Sequence, residues 1–391
     1  MVPEREPFAE LCQKIMVLIT EDWLALSRFR PLIDVLKDVA SEVVVVTRSS
    51  GRVDEIEALG ARVIDFDYRR SSSNLLREAA SAWELARILE AESPDVVHMV
   101  GMKPVLLGGL ALKLVPLRHI VVHMTDLGLL GSASGIVLRL YRAAALRLIS
   151  SMLRKPFSFL LVENSDDLAL LRMQGADPGA RFAILGGAGV DPEAFAALPP
   201  PSNPVPIAAF VDRIIPPKGI DVLMRAFDLL KERGERLELE LYGEADDQNP
   251  EALPVHVLKQ WCASSNARWL GPFADVREVW RRAEIFVLPA RTGEGMSRAL
   301  LEAAACARPL VVTNVPGSRH FVRDGVEGFV VAPEDAAALA DALQRLARDP
   351  ALRQRMGEAA RLRLLHGFTE AHVKQSLHEA YLSLLGRARI A

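Results

Sequence analysis

Short runs of consecutive apolar residues alternate along this chain with longer stretches in which apolar positions recur every three or four residues. In the first half the runs fall at 14–20 (KIMVLIT), 42–47 (EVVVVT), 62–66, 95–99 (DVVHM), 118–123 (RHIVVH), 159–163 and 182–185. Most are apolar at nearly every position rather than at every second one. A strand needs that only when both of its faces are covered, which is the condition inside a parallel sheet. The intervening segments, such as 75–92 and 133–153, carry the helical period. Strand and helix in regular alternation predict right-handed crossovers and an open sheet with helices on both faces.

The pattern stops at 198–206 (LPPPSNPVP), where five prolines in nine residues exclude a central strand and a continuous helix. It restarts with runs at 207–211, 237–242, 267–270, 284–288, 309–313 and 328–331, and ends in a helical segment at 369–387. The expectation is an α/β protein with a first domain at 1–197, a proline-rich linker at 198–206, a second domain at 207–367 and a closing helical segment at 368–391. The length agrees, because 391 residues exceed the roughly 250–300 that one core ordinarily serves.

Composition narrows the classes. Half of the residues are apolar and a quarter charged, which rules out wholesale disorder. Lysine and arginine (47) nearly balance aspartate and glutamate (50), so no overall field favours nucleic acid. Cys12, Cys262 and Cys306 are too few and too scattered for a disulfide framework or a zinc cage, and they suit a reducing compartment. The first fourteen residues carry charges of both signs without the apolar stretch of an export signal. The most apolar region, 96–122, is interrupted by Lys103, Pro104, Lys113, Pro116 and Arg118, short of the ~20 residues of a spanning helix. A cytoplasmic protein is expected.

Two local patterns carry chemistry. Glu294, Gly295, Met296, Ser297 and Arg298 follow a strand and a polar loop and run into a helix that holds Glu302. Eight residues make about 2.2 helical turns, so the two carboxylates would face the same way and grip two parts of one elongated ligand. Free N–H groups at the helix start would receive an anion. Alone, this spacing describes equally an exposed loop glutamate and a second one on a helix face. The other pattern, Asp212 and Arg213 followed by Lys218 and Gly219, comes directly after the first strand of the second domain. Open sheets bind ligands at that edge, and an arginine fork beside a lysine point charge suits a diphosphate. Alone, it describes equally a solvated cationic loop. The loop at 242–247 is not GxGxxG and no acidic ribose clamp follows a first-domain glycine loop, which disfavours a dinucleotide cofactor. The acidic turn of Glu244, Asp246 and Asp247 reads as solvated rather than as a metal site.

Further motifs stand in order along the chain: 94–98 (PDVVH) with Lys103 and Pro104, 126–128 (DLG), 164–167 (NSDD), 187–191 (GAGVD), 247–252 (DQNPEA), Trp261, Asp275 with Val276, 294–298 (EGMSR) and 300–306 (LLEAAAC). Together with the two patterns above, this series resembles the retaining glycosyltransferases of family 4, over nearly the whole chain. Their GT-B fold sets two Rossmann-like, doubly wound domains facing across a cleft, with a C-terminal helix crossing back to pack on the first. The resemblance is closest to the bacterial branch that builds lipid-linked surface polysaccharides and glycans from UDP-N-acetylhexosamine-type donors. The chain departs from the family in its first loop, where relatives carry a glycine pair and this chain has 21–28 (EDWLALSR). It departs from the branch at Asp126, Ala307, His320 and Ser297, which stand for glycine, glycine, glutamate and proline. These differences bear on the sugar more than on the reaction class.

The resemblance implies transfer of a sugar from a UDP-sugar donor to a polyprenyl-diphosphate-linked or other glycolipid acceptor, with no metal or other cofactor. Arg213 and Lys218 would hold the diphosphate. Glu294 would bond sugar hydroxyls beside the backbone N–H groups of Gly295 and Met296 and the helix start at Ser297. Arg298 would add a second cation, and Glu302 would take the ribose hydroxyls. His123 ends the run RHIVVH where many relatives place a histidine on the donor sugar, and a structural histidine fits the sequence equally well. His98 reads as structural. The same fold serves UDP-sugar 2-epimerases and sugar phosphorylases, and a two-lobed sugar-binding protein is the alternative of another class.

Between Ile136 and Lys155 a helical wheel gathers Arg139, Arg142, Arg147 and Arg154 into an arc of about 140°, opposite Val137, Ala144, Ala145, Leu148, Ile149 and Met152. Such a face suits the anionic inner surface of the cytoplasmic membrane, and equally the solvated side of a core-packed helix.

Overall fold

The structure, a computed structural model, describes residues 12–68, 75–127, 136–244, 253–273, 275–292 and 295–386. The chain forms two compact units, Met1–Ala188 together with Glu370–Ala391, and Gly189–Thr369.

The first unit is built on strands β1 (Cys12–Glu21), β2 (Ala40–Arg48), β3 (Arg62–Asp65), β4 (Val96–Val100), β5 (His119–Met124), β6 (Ser158–Val162) and β7 (Phe182–Ile184). They form one sheet in the order β3-β2-β1-β4-β5-β6-β7, and every pairing is parallel. The uninterrupted apolar runs have the reason expected of them. On β1, Met16 and Leu18 face one core, with residues of the helices Leu75–Glu92, Met102–Leu114 and Ile136–Leu153. Ile15, Val17 and Ile19 face the other, with residues of Arg30–Val39 and Glu370–Gly386.

That second face explains why the chain returns. Val373, Leu377, Ala380, Tyr381, Leu384 and Leu385 recur at helical spacing along Glu370–Gly386 and complete the cluster over β1, β4 and β5. Lys374 Nζ donates to Asp34 Oδ2 at 2.7 Å and fastens the helix to its neighbour Arg30–Val39.

The second unit holds β8 (Ile207–Val211), β9 (Glu238–Tyr242), β10 (Ala267–Gly271), β11 (Ile285–Leu288), β12 (Leu310–Thr313) and β13 (Gly328–Val331) in the order β10-β9-β8-β11-β12-β13, again all parallel. Both sheets are of the doubly wound, Rossmann-like kind.

The proline-rich stretch 198–206 belongs to the second unit rather than standing between the two. Proline lacks an N–H but keeps its carbonyl, and here the carbonyls are claimed. Arg308, only 3 % exposed, donates to the carbonyls of Leu198 (3.4 Å), Pro199 (3.0 Å) and Trp280 (2.8 Å), and Arg361 donates to that of Phe195 at 2.9 Å. The division accordingly falls at Gly189, ahead of the prolines.

On the helix Ile136–Leu153, Ala145, Ile149 and Met152 are buried and Leu148 is half-buried, but Ala144, expected on the same apolar face, is exposed; Arg139, Arg147 and, one residue past the helix, Arg154 are exposed, and Arg142 is half-buried. Val137 is among residues whose side chains are not described. Among the described residues no helix is long and apolar enough to cross a membrane.

If the returning helix closes the first core, Leu377→Ala lowers the unfolding free energy by about 2–5 kcal/mol, as expected for a leucine truncated in a packed core. Leu382→Ala, on the outer side of the same helix, changes it by about 0.5 kcal/mol or less. Urea unfolding of the full chain checks both, and equal effects would contradict the packing described.

Candidate functional site

Strands β9, β8 and β11 lie side by side, and the loops beyond their carboxyl ends meet. After β8 the chain turns through Asp212 and Arg213 into a single 3-10 turn, Pro216–Lys218. Two glycines allow this. Gly243, with φ +143, comes so near that a Cβ on it would stand 1.9 Å from the Asp212 carbonyl oxygen. Gly219, with φ +73, would place a Cβ 2.0 Å from the carbonyl oxygen of Pro289, just past β11. Any side chain would push the three strand ends apart.

Arg291 completes the loop. Its guanidinium donates to the Pro216 carbonyl at 2.8 Å and to Asp221 at 2.5 Å and pairs with Glu334, while its backbone N–H donates to the Pro217 carbonyl at 2.8 Å. Sequence reading passed over this residue, although it follows β11 at the same sheet edge as Arg213.

The two expected cations differ in kind. Lys218 is 4 % exposed, with Nζ 2.5 Å from Asp212 Oδ2. Arg213 is exposed, and among the described residues its guanidinium has no hydrogen-bond or ion-pair partner. One charge is locked in place and the other is free to reach outward.

The helix Arg298–Ala305 starts at Ser297, whose hydroxyl accepts the Leu300 N–H at 3.4 Å. Met296 is buried beside it. Arg298 Nε donates to Glu302 Oε1 at 2.8 Å, one helical turn along. Glu302 is 6 % exposed; burial pushes its pKa up and the Arg298 charge pulls the other way. Arg298 is therefore not an independent second cation. It forms one polar unit with Glu302, as their four-residue spacing on a helix permits. Gly295 is described; Glu294, Asp246 and Asp247 lie outside the described residues.

His123 belongs to the first unit, one residue from the end of β5. It is 2 % exposed, in edge contact with Phe29, and its Nδ1 lies 3.2 Å from Nε2 of the fully buried His98. Burial, helped by the Arg28 charge, holds its pKa down at about 3, and burial and the neighbouring His123 hold that of His98 well below the usual range. Both rings are neutral.

Carboxylates collect at the same edge. Glu163 accepts from Arg28 Nη2 on both oxygens at 2.5 Å. Asp167 accepts from Asn164 Nδ2 at 2.8 Å and titrates near 7: burial raises it, the Asn164 bond opposes, and Asp126, Glu163 and Asp166 add to the rise. Two acids of the first loop are held within the first unit. Glu21 takes the fork of Arg48, with the shortest contact at 2.8 Å. Asp22 accepts the N–H groups of Trp23 (2.6 Å), Ser50 (2.6 Å) and Arg52 (3.1 Å) and the Ser50 hydroxyl (2.5 Å).

The comparisons with known proteins agree with this architecture. A family profile described as "Glycosyl transferases group 1" matches residues 205–349, and one described as "Glycosyl transferase 4-like" matches residues 14–153. With a family domain in each half, the chain belongs to the glycosyltransferases of family-4, GT-B type. Among its relatives is the N,N'-diacetylbacillosaminyl-diphospho-undecaprenol alpha-1,3-N-acetylgalactosaminyltransferase of Campylobacter jejuni, 23% identical over 84% of this chain and 88% of that one. The D-inositol 3-phosphate glycosyltransferase of Nocardia farcinica is 34% identical, over 46% of this chain and 41% of the relative. Of solved structures, Anabaena Alr3699/HepE in complex with UDP and glucose agrees in fold with a TM-score of 0.76 at 18% identity, covering 95% of this chain and 100% of that one. Sucrose-phosphate synthase from Thermosynechococcus elongatus agrees with a TM-score of 0.77 at 17% identity, covering 96% and 100%.

Two neutral buried histidines make the first unit acid-sensitive. Their folded pKa values lie below the unfolded 6.5, so unfolding takes up protons once the pH falls below that value. Their contribution is complete above pH 6.5 and shrinks as the pH falls below it, for His123 down to about pH 3, by about 1.4 kcal/mol per pH unit for each proton. Asp167 acts in the opposite sense, its raised pKa making the native state take up a proton between pH 7 and 3.8. The expected result is that the free-energy difference between wild type and a His98→Gln/His123→Gln variant moves in the variant's favour as pH falls from 6.5 to 4.5. Denaturant titrations at four pH values would read it, and a pH-independent difference would contradict neutral burial.

Proposed function

We propose that this glycosyltransferase moves a sugar of N-acetylhexosamine type from a UDP-sugar to a lipid-linked saccharide, with retention of configuration. The observation that carries the reading is the cationic loop beyond β8: Lys218 held on Asp212, two glycines that admit no side chain, Arg291 closing the turn, and Arg213 free beside it. A charge fixed before the ligand arrives needs no reorganisation when negative charge develops, which is the most effective form of electrostatic catalysis.

In the transfer the bond between the anomeric carbon and the β-phosphate oxygen breaks, and the acceptor hydroxyl oxygen bonds to that carbon on the same face. Its proton passes to the departing phosphate oxygen. Arg213 and Lys218 bind the diphosphate and stabilise the dianion that leaves, so no metal is required. Glu302, oriented by Arg298, takes the ribose hydroxyls. Glu294, with the backbone N–H groups of Gly295 and Met296 and the helix start at Ser297, holds the sugar, and His123 bonds one of its hydroxyls. The second unit thus serves the nucleotide and the first unit the acceptor. The Campylobacter relative's name, with its diphospho-undecaprenol, supports an acceptor of this class.

Such an acceptor is met at the inner membrane surface. Arg147 stands exposed on the helix Ile136–Leu153 and Arg154 just past its end, with Leu140 (67 % exposed) and Tyr141 (45 %) on the same helix, a combination that suits anionic headgroups.

Lys218→Ala is expected to lower transfer about 10²- to 10³-fold while leaving the thermal midpoint within a few degrees. UDP release with UDP-N-acetylglucosamine, UDP-N-acetylgalactosamine and UDP-glucose, each with and without a polyprenyl-linked saccharide, measures this and ranks the donors. Undiminished turnover in the folded variant removes the role, and a 2-epimer formed from donor alone points to epimerisation instead. Arg147→Glu with Arg154→Glu is expected to reduce flotation with vesicles containing phosphatidylglycerol, most at low salt. Unchanged flotation would remove this helix from the membrane contact.

A further inference from the structure

Alternation along β4 and β5 puts His98, with Val96 and Val100, and His123, with Val121, on the sheet face that the returning helix Glu370–Gly386 covers. There the two rings and Tyr381 form a line. His98 Nδ1 is 2.8 Å from the Tyr381 hydroxyl oxygen, and His98 Nε2 is 3.2 Å from His123 Nδ1. All three side chains are buried, and among the described residues His98 is the hydroxyl's hydrogen-bond partner and His123 Nε2 has none.

Neutral imidazole carries one ring proton, so each contact joins one donor to one acceptor and the line runs in one of two directions. If His98 Nδ1–H donates to Tyr381, the tyrosine's own O–H is buried with no acceptor. In that direction His123 Nδ1 carries the proton and its Nε2 is a bare lone pair. If Tyr381 donates to His98 Nδ1, then His98 Nε2–H donates to His123 Nδ1, and the one donor left over is the His123 Nε2–H at the end of the line. In that direction His123 carries its proton on Nε2. The first direction leaves both the Tyr381 O–H and the His123 Nε2 lone pair unmatched, whereas the second leaves only the His123 Nε2–H, and that nitrogen is not among the fully enclosed atoms without a partner; this favours the second.

We propose that Tyr381, acting through His98, fixes His123 as an Nε2–H donor, so that the end of β5 offers a hydrogen bond to a saccharide oxygen rather than a base. Tyr381 and His98 are positioning residues, and the segment that completes the first core also sets the chemistry of its edge. The inference rests on the reading that His123 meets the donor sugar, but the tautomer is observable without it.

The test is the imidazole ¹⁵N spectrum of the full chain labelled at histidine, which separates protonated from unprotonated ring nitrogens, with assignments from His98→Gln and His123→Gln. In the wild type His123 is expected to be protonated at Nε2 and bare at Nδ1. A wild-type His123 protonated at Nδ1 overturns the proposal, whatever any variant does. In Tyr381→Phe, which removes only the hydroxyl, the two directions become comparable and both His123 nitrogens move toward intermediate positions. Unmoved resonances in the folded variant likewise overturn it. The same variant is expected to weaken UDP-N-acetylglucosamine binding about 2- to 10-fold, the loss of one oriented hydrogen bond. If the tautomer shifts as expected but His123→Gln binds and turns over that donor like the wild type, the relay stands and the placement of His123 on the sugar falls.

Discussion

Backbone packed against backbone, at two glycines, is the constraint on which the second unit's edge depends. Gly219 against Pro289 and Gly243 against Asp212 leave no room for a methyl group, so β8, β9 and β11 end at fixed separations. The strand ends then dictate the loop, the loop dictates where Lys218 and Arg213 stand, and Arg291 prevents the turn from opening. A cation buried as deeply as Lys218 is costly unless its counter-charge is close and well placed, which is the work of Asp212. The rigidity of the cationic loop is thus a property of carbonyl oxygens and missing side chains more than of the charges themselves.

The two units meet the need for buried polar groups differently. In the second, cations are held by carboxylates and carbonyls: Lys218 on Asp212, Arg298 on Glu302, Arg308 on the carbonyls around the prolines. In the first, the carboxyl edge is richer in acids, with Asp126, Glu163, Asp166 and Asp167 near one another and Arg28 and two neutral histidines among them.

The strands were legible because burial on both faces leaves an uninterrupted apolar run, and all thirteen lie within two residues of the expected places. The proline stretch was misplaced because proline advertises the donor it lacks and not the carbonyl it keeps; the claimant, Arg308, lies some 110 residues away in the chain. The Arg298–Glu302 pair was visible as a four-residue spacing, but each residue had been given a separate ligand. Tyr381 carried no local sign at all. It is 283 residues from His98, and only the return of the chain to the first sheet brings them together.

That return also orders events in time. The first sheet and the helix that seals it are separated by the whole of the second unit, so a ribosome completes Gly189–Thr369 before the first unit has its last element. Until Glu370–Gly386 emerges, Ile15, Val17 and Val121 lack part of the cover that the finished core provides. Local contacts let the later-made unit close first, whereas sealing the earlier one must bring together residues more than 300 positions apart. The half that is synthesised first is the half that finishes last, and during that interval its apolar face is the part of the nascent chain that needs protection from aggregation.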